Sequence, residues 1–107
     1  MNRPATNFRF DGDPDRLIHE PARLKIMAVL SGGNSADFVY LMRETGLTRG
    51  NLSVQLTRLA EAGYLQITKT FVGRTPRTTA SLTTAGQEAF TRYRAYLTAL
   101  LDATKQP

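Results

Sequence analysis

The sequence has no cysteine and no tryptophan, and it has a single histidine in 107 residues. Without cysteine there can be no disulfide, thiolate metal site, thiol nucleophile or thiol-based redox sensor. His19-Glu20 begins like a zinc-protease helix, but that motif needs a second histidine four residues after the first, and position 23 is arginine. A metal site would have to rest on carboxylates, of which there are nine in all, so no metal and no cofactor is expected. No phosphate-binding glycine loop, dinucleotide fingerprint or nucleophile–base pair stands out, and the expectation is a protein that is not an enzyme. Nor is there an apolar run long enough to span a bilayer. Met1–Asn7 is polar with no apolar stretch behind it, which argues against a secretory signal and for a cytoplasmic protein.

What is present is ordinary for a small globular domain: 41% apolar and 21% charged residues. A core of this size is modest, so a partner subunit would help it. The formal net charge is +5, and it is unevenly placed. Between residues 49 and 77 stand Arg49, Arg58, Lys69, Arg74 and Arg77 against the single acid Glu61. Arginine outnumbers lysine 11 to 3, and its planar fork suits phosphates and guanine edges.

Along the chain, residues 1–12 form a polar arm carrying Phe8 and Phe10. Asp13-Pro14 is expected to open a short helix with Asp13 as its cap and Leu17 and Ile18 as its apolar positions, restarted at Glu20-Pro21. Pro21–Leu30 is apolar on more than one face and should be mostly buried; Ser31–Ser35 is a loop. Asp37 caps a helix over Phe38–Thr45, Gly46 ends it, and Thr48 caps a third helix running from about Arg49 to Ala62, closed by Gly63. The period then changes from helical to alternating. Leu65–Phe71 and Thr78–Leu82 read as an antiparallel hairpin around a basic tip, Val72–Arg77. Thr83, or Thr84 with Gln87 in a capping box, starts a last helix that runs to about Ala103.

Two helices joined by a tight glycine turn and followed by a basic-tipped hairpin predict a mainly α fold with a small β-hairpin, a winged helix-turn-helix. It divides into an arm (1–12), the winged domain (13–83), a dimerisation helix (84–103) and a tail (104–107). With Leu52, Leu56 and Leu59 facing inward, the third helix presents Gly50, Val54 and Thr57 outward, flanked by Arg49, Ser53 and Arg58. Such a small, polar face suits a DNA major groove, with Thr48 capping the helix and its free N–H groups open to a phosphate. Asn51 and Gln55 lie to the side, within reach of adenine edges or phosphates. Arg74, Thr75 and Arg77 on the hairpin suit the backbone or an adjacent minor groove.

The stretches Leu-Ile-His-Glu-Pro-Ala-Arg-Leu (17–24), Thr-Gly-Leu-Thr-Arg-Gly-Asn-Leu-Ser (45–53), Leu-Ala-Glu-Ala-Gly-Tyr-Leu (59–65), Phe-Val-Gly-Arg-Thr-Pro-Arg-Thr (71–78) and Leu-Thr-Thr-Ala-Gly (82–86) resemble winged-helix transcriptional regulators of the MarR/ArsR-like group. The resemblance spans roughly residues 15–101 and implies a homodimer on double-stranded operator DNA, with Arg49, Asn51, Ser53 and Arg58 on the recognition helix and Arg74 and Arg77 on the wing. The last helix supports dimerisation independently. Ala89, Phe90, Tyr93, Tyr96, Leu97, Leu100 and Leu101 form a wide apolar stripe expected to pack on its symmetry mate, together with Phe8, Phe10, Leu17 or Ile18. Tyr40, Phe90, Tyr93 and Tyr96 are assigned first to core and interface packing, with a pocket for a small-molecule effector near the dimer interface as the alternative and its ligand unspecified. The competing reading is a winged-helix module that docks a protein through the last helix.

Overall fold

A computed structural model describes residues 13–105. The expected arm with Phe8 and Phe10, and the last two residues of the tail, lie outside the described residues. The order of elements is α1 (Pro21–Leu30), β1 (Ala36–Asp37), α2 (Phe38–Thr45), α3 (Arg49–Glu61), β2 (Leu65–Val72), β3 (Thr75–Leu82) and α4 (Thr84–Ala103).

The short helix expected after Asp13 is absent. Residues 16–18 make a single turn, and Asp15 rather than Asp13 organises it, accepting from the amides of Leu17 (2.9 Å) and Ile18 (3.4 Å). Six residues before Pro21 are too few to repay helix nucleation, so one side-chain cap closes the turn instead. Glu20 then caps α1, with Pro21 at its first position and the Arg23 amide donating to the Glu20 carboxylate at 2.8 Å. That hydrogen bond holds the Glu20 carboxyl below its ordinary value.

The core lies where α1, α2 and α3 converge. Ile18, Ile26, Met27, Leu30, Leu41, Leu52 and Leu59 are fully enclosed, closed on the sheet side by Leu65 and Ala80 and at the start of α4 by Ala89, Phe90 and Tyr93. The sheet has three strands in the order β1-β3-β2, not the two expected. β1 adds Ala36 opposite Ala80 and Asp37 opposite Thr79. A two-residue strand has no alternation to read, and only its pairing with β3 defines it.

The hairpin is also tighter than expected. β2 and β3 pair from Leu65–Leu82 out to Val72–Thr75, so the tip is only Gly73-Arg74. Gly73 has φ +63°, while Arg74 has no positive φ, the pattern of a turn with glycine at its first central position. Pro76 and Arg77, expected in the loop, are strand residues opposite Phe71 and Thr70. Proline is tolerated there because β1 reaches only residues 79 and 80, leaving that side of β3 an open edge where no N–H is required.

Thr83, not Thr84, caps α4, accepting from the Gly86 amide at 3.0 Å. The capping box with Gln87 does not form, because Thr83 is already pinned: its amide donates to Tyr64 O and its hydroxyl to Gly63 O. Gly86 is buried against the same segment. A Cβ on it would lie 2.2 Å from the Tyr64 carbonyl oxygen, so only glycine lets α4 start this close to the hairpin. No helix among the described residues is long and apolar enough to cross a membrane.

Candidate nucleic-acid interface

The turn between α2 and α3 sets the angle of α3. Gly46 takes φ +72° and returns its amide to Met42 O at 2.9 Å. Buried Thr45 donates its hydroxyl to Leu41 O and accepts from the Leu47 amide, so the turn leaves this buried hydroxyl paired. Thr48 caps α3 by accepting from the Asn51 amide at 3.1 Å. Leu52, Leu56 and Leu59 are buried beneath the helix, while Arg49, Gly50, Asn51, Ser53, Val54, Thr57 and Arg58 all face solvent. The expected division of the helix into an inward and an outward face is therefore present in the geometry.

Arg49 stands over the ring of Phe38, its guanidinium carbon 5.4 Å from the centroid. The ring restricts the side chain without taking its charge. Beside it, between α3 and β3, runs an open cleft of about 480 Å³ lined by Phe38, Arg49, Ser53, Pro76 and Arg77. It continues along α3 past Ser53 and Thr57 toward Lys69 and Thr78. A concavity of this kind, between a helix and a hairpin, has room for a polyanionic strand passing between the two elements.

The cationic groups around the cleft are not equivalent. Arg77 pairs with Asp37 at 3.3 Å. The Asp37 carboxyl is thus shared between capping the Tyr40 amide at 2.8 Å and holding Arg77. The Tyr40 amide first, and Arg77 after it, keep that carboxyl below its ordinary value. Arg77 is therefore a partly neutralised strand residue and not the free tip cation that the sequence led us to expect. Arg49, Arg58 and Arg74 have no carboxylate partner among the described residues. Arg74 and Thr75 stand exposed at the tip. Phe71 is 71% exposed beside them.

Two further expectations are corrected. Gln55 does not reach outward: it is half-buried and accepts from Arg23 Nη1 at 2.7 Å. Sequence reasoning passed over Arg23, although its spacing from Met27 and Leu30 already put it on the buried face of α1. Its Nε donates to Leu17 O. On α4, Phe90 and Tyr93 are 8% and 3% exposed within a single chain, so they belong to its own core and leave little surface for a partner. Leu17 packs against the same core. Tyr96, Leu97 and Leu100 are half-buried, and Leu101 is 55% exposed.

His19 is not near the cleft. Its Nδ1 lies 2.9 Å from the Tyr93 hydroxyl, in an aromatic cluster with Tyr96. Burial, and then Tyr96, push the Tyr93 hydroxyl above its ordinary value. Tyr64 donates to Asp15, and that hydrogen bond raises the Tyr64 hydroxyl likewise. No group of three or more metal-ligating side chains occurs among the described residues.

A capped helix-turn-helix followed by a basic hairpin, on a three-stranded sheet, defines the winged-helix class of DNA-binding domains. The chain belongs to that family: the winged helix DNA-binding domain matches residues 22–101. It is similar to an uncharacterized protein of Methanocaldococcus jannaschii, with 32% identity over 78 residues, 73% of this chain and 85% of the relative. Among solved structures it is similar to the transcriptional regulator homologue protein from Pyrococcus horikoshii OT3, with a TM-score of 0.79 and 29% identity over 86% of this chain and 91% of that one. A MarR-family transcriptional regulator from Silicibacter pomeroyi shares the fold, with a TM-score of 0.66 and 23% identity over 85% of this chain and 60% of that one.

Proposed function

We propose that the protein is a sequence-specific transcriptional regulator that acts in the cytoplasm and binds double-stranded DNA as a homodimer. In this reading α3 enters the major groove, with Thr48, Arg49, Gly50, Asn51, Ser53, Val54, Thr57 and Arg58 toward the DNA, and Arg74 and Thr75 follow the backbone or the adjacent minor groove. The observation that carries it is the outward face of α3: small and polar, next to an open cleft, with Arg49, Arg58 and Arg74 uncommitted to any carboxylate among the described residues. Family membership and the regulators that share the fold support the same reading. It assigns the protein no catalytic role. Homodimerisation is supported by the far half of α4, where Tyr96, Leu97, Leu100 and Leu101 form an apolar surface only half covered by their own chain. A two-fold pair would set two α3 helices about 34 Å apart, one turn of DNA.

The test is fluorescence anisotropy of the purified protein on the DNA upstream of its own gene and on a scrambled duplex, over a salt series, with sedimentation measured in parallel. Preference for the upstream DNA by about a hundredfold or more, with a steep salt slope and a dimer in solution, is the expected result. Absence of binding at low salt, together with a stoichiometric protein partner on α4, would replace this reading with a protein-docking module.

A further inference from the structure

We infer that buried Arg23, acting through Gln55, fixes the polarity of Asn51, so that α3 offers hydrogen-bond donors at that position and selects an acceptor. An arginine guanidinium can only donate. Arg23 is 9% exposed, and its Nη1 lies 2.7 Å from Gln55, so the atom that Gln55 turns toward it must be the oxygen Oε1. That choice leaves the Gln55 nitrogen facing outward along the helix. Nε2 donates to Asn51 Oδ1 at 2.9 Å, one turn earlier. The Asn51 oxygen is thereby turned back toward Gln55, and its two amide hydrogens point away from the pair.

Arg23 is not free to release this arrangement. Its Nε is held by Leu17 O at 2.5 Å, and the Glu20 carboxylate lies 3.9 Å from Nη1, so the guanidinium is clamped from two sides. An amide that would otherwise present either end is given one orientation by a charge two residues removed from the surface. The inference rests on the DNA reading above and changes one of its details. Recognition of adenine by asparagine needs the amide oxygen at the base edge. With that oxygen engaged by Gln55, the complementary ligand is an acceptor: a base-edge acceptor, best the paired N7/O6 edge of guanine, or a phosphate oxygen. Arg23 and Gln55 are positioning residues, and Asn51 makes the contact.

The test is selection from randomised duplexes, followed by anisotropy on the selected DNA, with the unchanged protein and three variants. In Gln55→Glu the carboxylate still accepts from Arg23 but has no proton for Asn51, which must turn its nitrogen inward and its oxygen outward. In Asn51→Asp one oxygen accepts from Gln55 and the other faces the DNA. Both variants reverse the outward polarity, and each should weaken binding to the originally selected duplex by about tenfold. A shift of the preferred base away from guanine identifies a base acceptor, and an equal loss on all sequences identifies a phosphate; both support the inference. Gln55→Met, which carries no charge, should relax the preference without reversing it, and it serves if Gln55→Glu fails to fold. Asn51→Asp losing affinity while both Gln55 variants bind like the unchanged protein would overturn the inference and leave the DNA reading standing. An unchanged protein that retains no duplex would overturn the DNA reading itself.

Discussion

The two basic elements, α3 and the hairpin, carry similar charge but are held in different ways. On α3 several polar side chains have a local partner: Thr48 caps the helix, Arg49 lies over Phe38, and Asn51 is tied through Gln55 to Arg23, while Arg58 has no carboxylate partner among the described residues. The tip of the hairpin has no such support. Gly73 and Arg74 are held by their turn alone, with Phe71 and Val72 largely in solvent. The base of the hairpin is anchored where Leu65 and Ala80 enter the core and Gly86 presses against Tyr64, and its middle by the Arg77–Asp37 pair. A rigid array of donors can discriminate between ligands, because a wrong partner leaves a fixed group unpaired. An exposed cation at a turn adds attraction for any polyanion and little discrimination. Under the proposed DNA reading, α3 would supply specificity and the wing affinity.

The largest expected effect tests whether α3 is as firmly seated as this contrast requires. Leu52 is fully enclosed under the helix, so Leu52→Ala should cost about 2–5 kcal/mol of folding stability in denaturant melts. Val54, half exposed on the opposite face, is the control, and Val54→Ala should stay within about 0.5 kcal/mol. Equal costs at the two positions would remove the distinction between the inner and outer faces. The anchored base of the hairpin predicts the next effect. Gly86→Ala places a methyl 2.2 Å from a backbone oxygen and should cost about 1–3 kcal/mol or more, since the obstacle is backbone and cannot swing away. A neutral outcome would mean that α4 shifts freely against the hairpin.

What the sequence made legible, and what it did not, divides by range. The caps Asp37 and Thr48, the stop at Gly46 and the extent of α4 follow from residues within one turn of each other, and all were readable. The features that were misplaced depend on partners far along the chain. Arg77 finds Asp37 forty residues away and Gln55 finds Arg23 thirty-two away. Local sequence placed Arg77 at the basic tip and Gln55 at the side of α3, within reach of DNA; their partners inside the chain are set by the packing of α1 and β1 against the rest. The wing was overextended for a similar reason. Pro76 looks like a loop residue until the open edge of β3 shows why a strand can hold it.

The Asp37–Arg77 pair gives a prediction of intermediate size. Asp37→Asn keeps an acceptor for the Tyr40 amide and releases Arg77. Under the DNA reading, the variant should bind duplex more tightly at low salt, with a slope of log K against log salt steeper by about 0.9 for one added phosphate contact. The same residue should be visible in the pH dependence of stability. Its carboxyl is held below the ordinary value of 3.8, so the folded protein binds that proton less readily than the unfolded chain. The stabilisation is whole above the ordinary value and is lost as the pH falls through the lower, folded one. Melting temperatures from neutral to acid pH should therefore drop less steeply in Asp37→Asn than in the unchanged protein.

The smallest effect is the one that most directly sharpens the comparison. Arg74 touches no carboxylate among the described residues and sits on an exposed turn, so Arg74→Ala should leave folding stability within about 0.5 kcal/mol of the original. Its removal should weaken duplex binding by a similar factor on every sequence and reduce the salt slope by about 0.9, the contribution of a single phosphate neutralised. The ratio between affinities for selected and scrambled DNA should not move, because a cation held only by its own turn conforms to whatever backbone is offered. If that ratio falls with Arg74→Ala, the tip reads sequence or groove shape as well as charge. The division of labour between a fixed helix and a free wing would then be wrong at the wing.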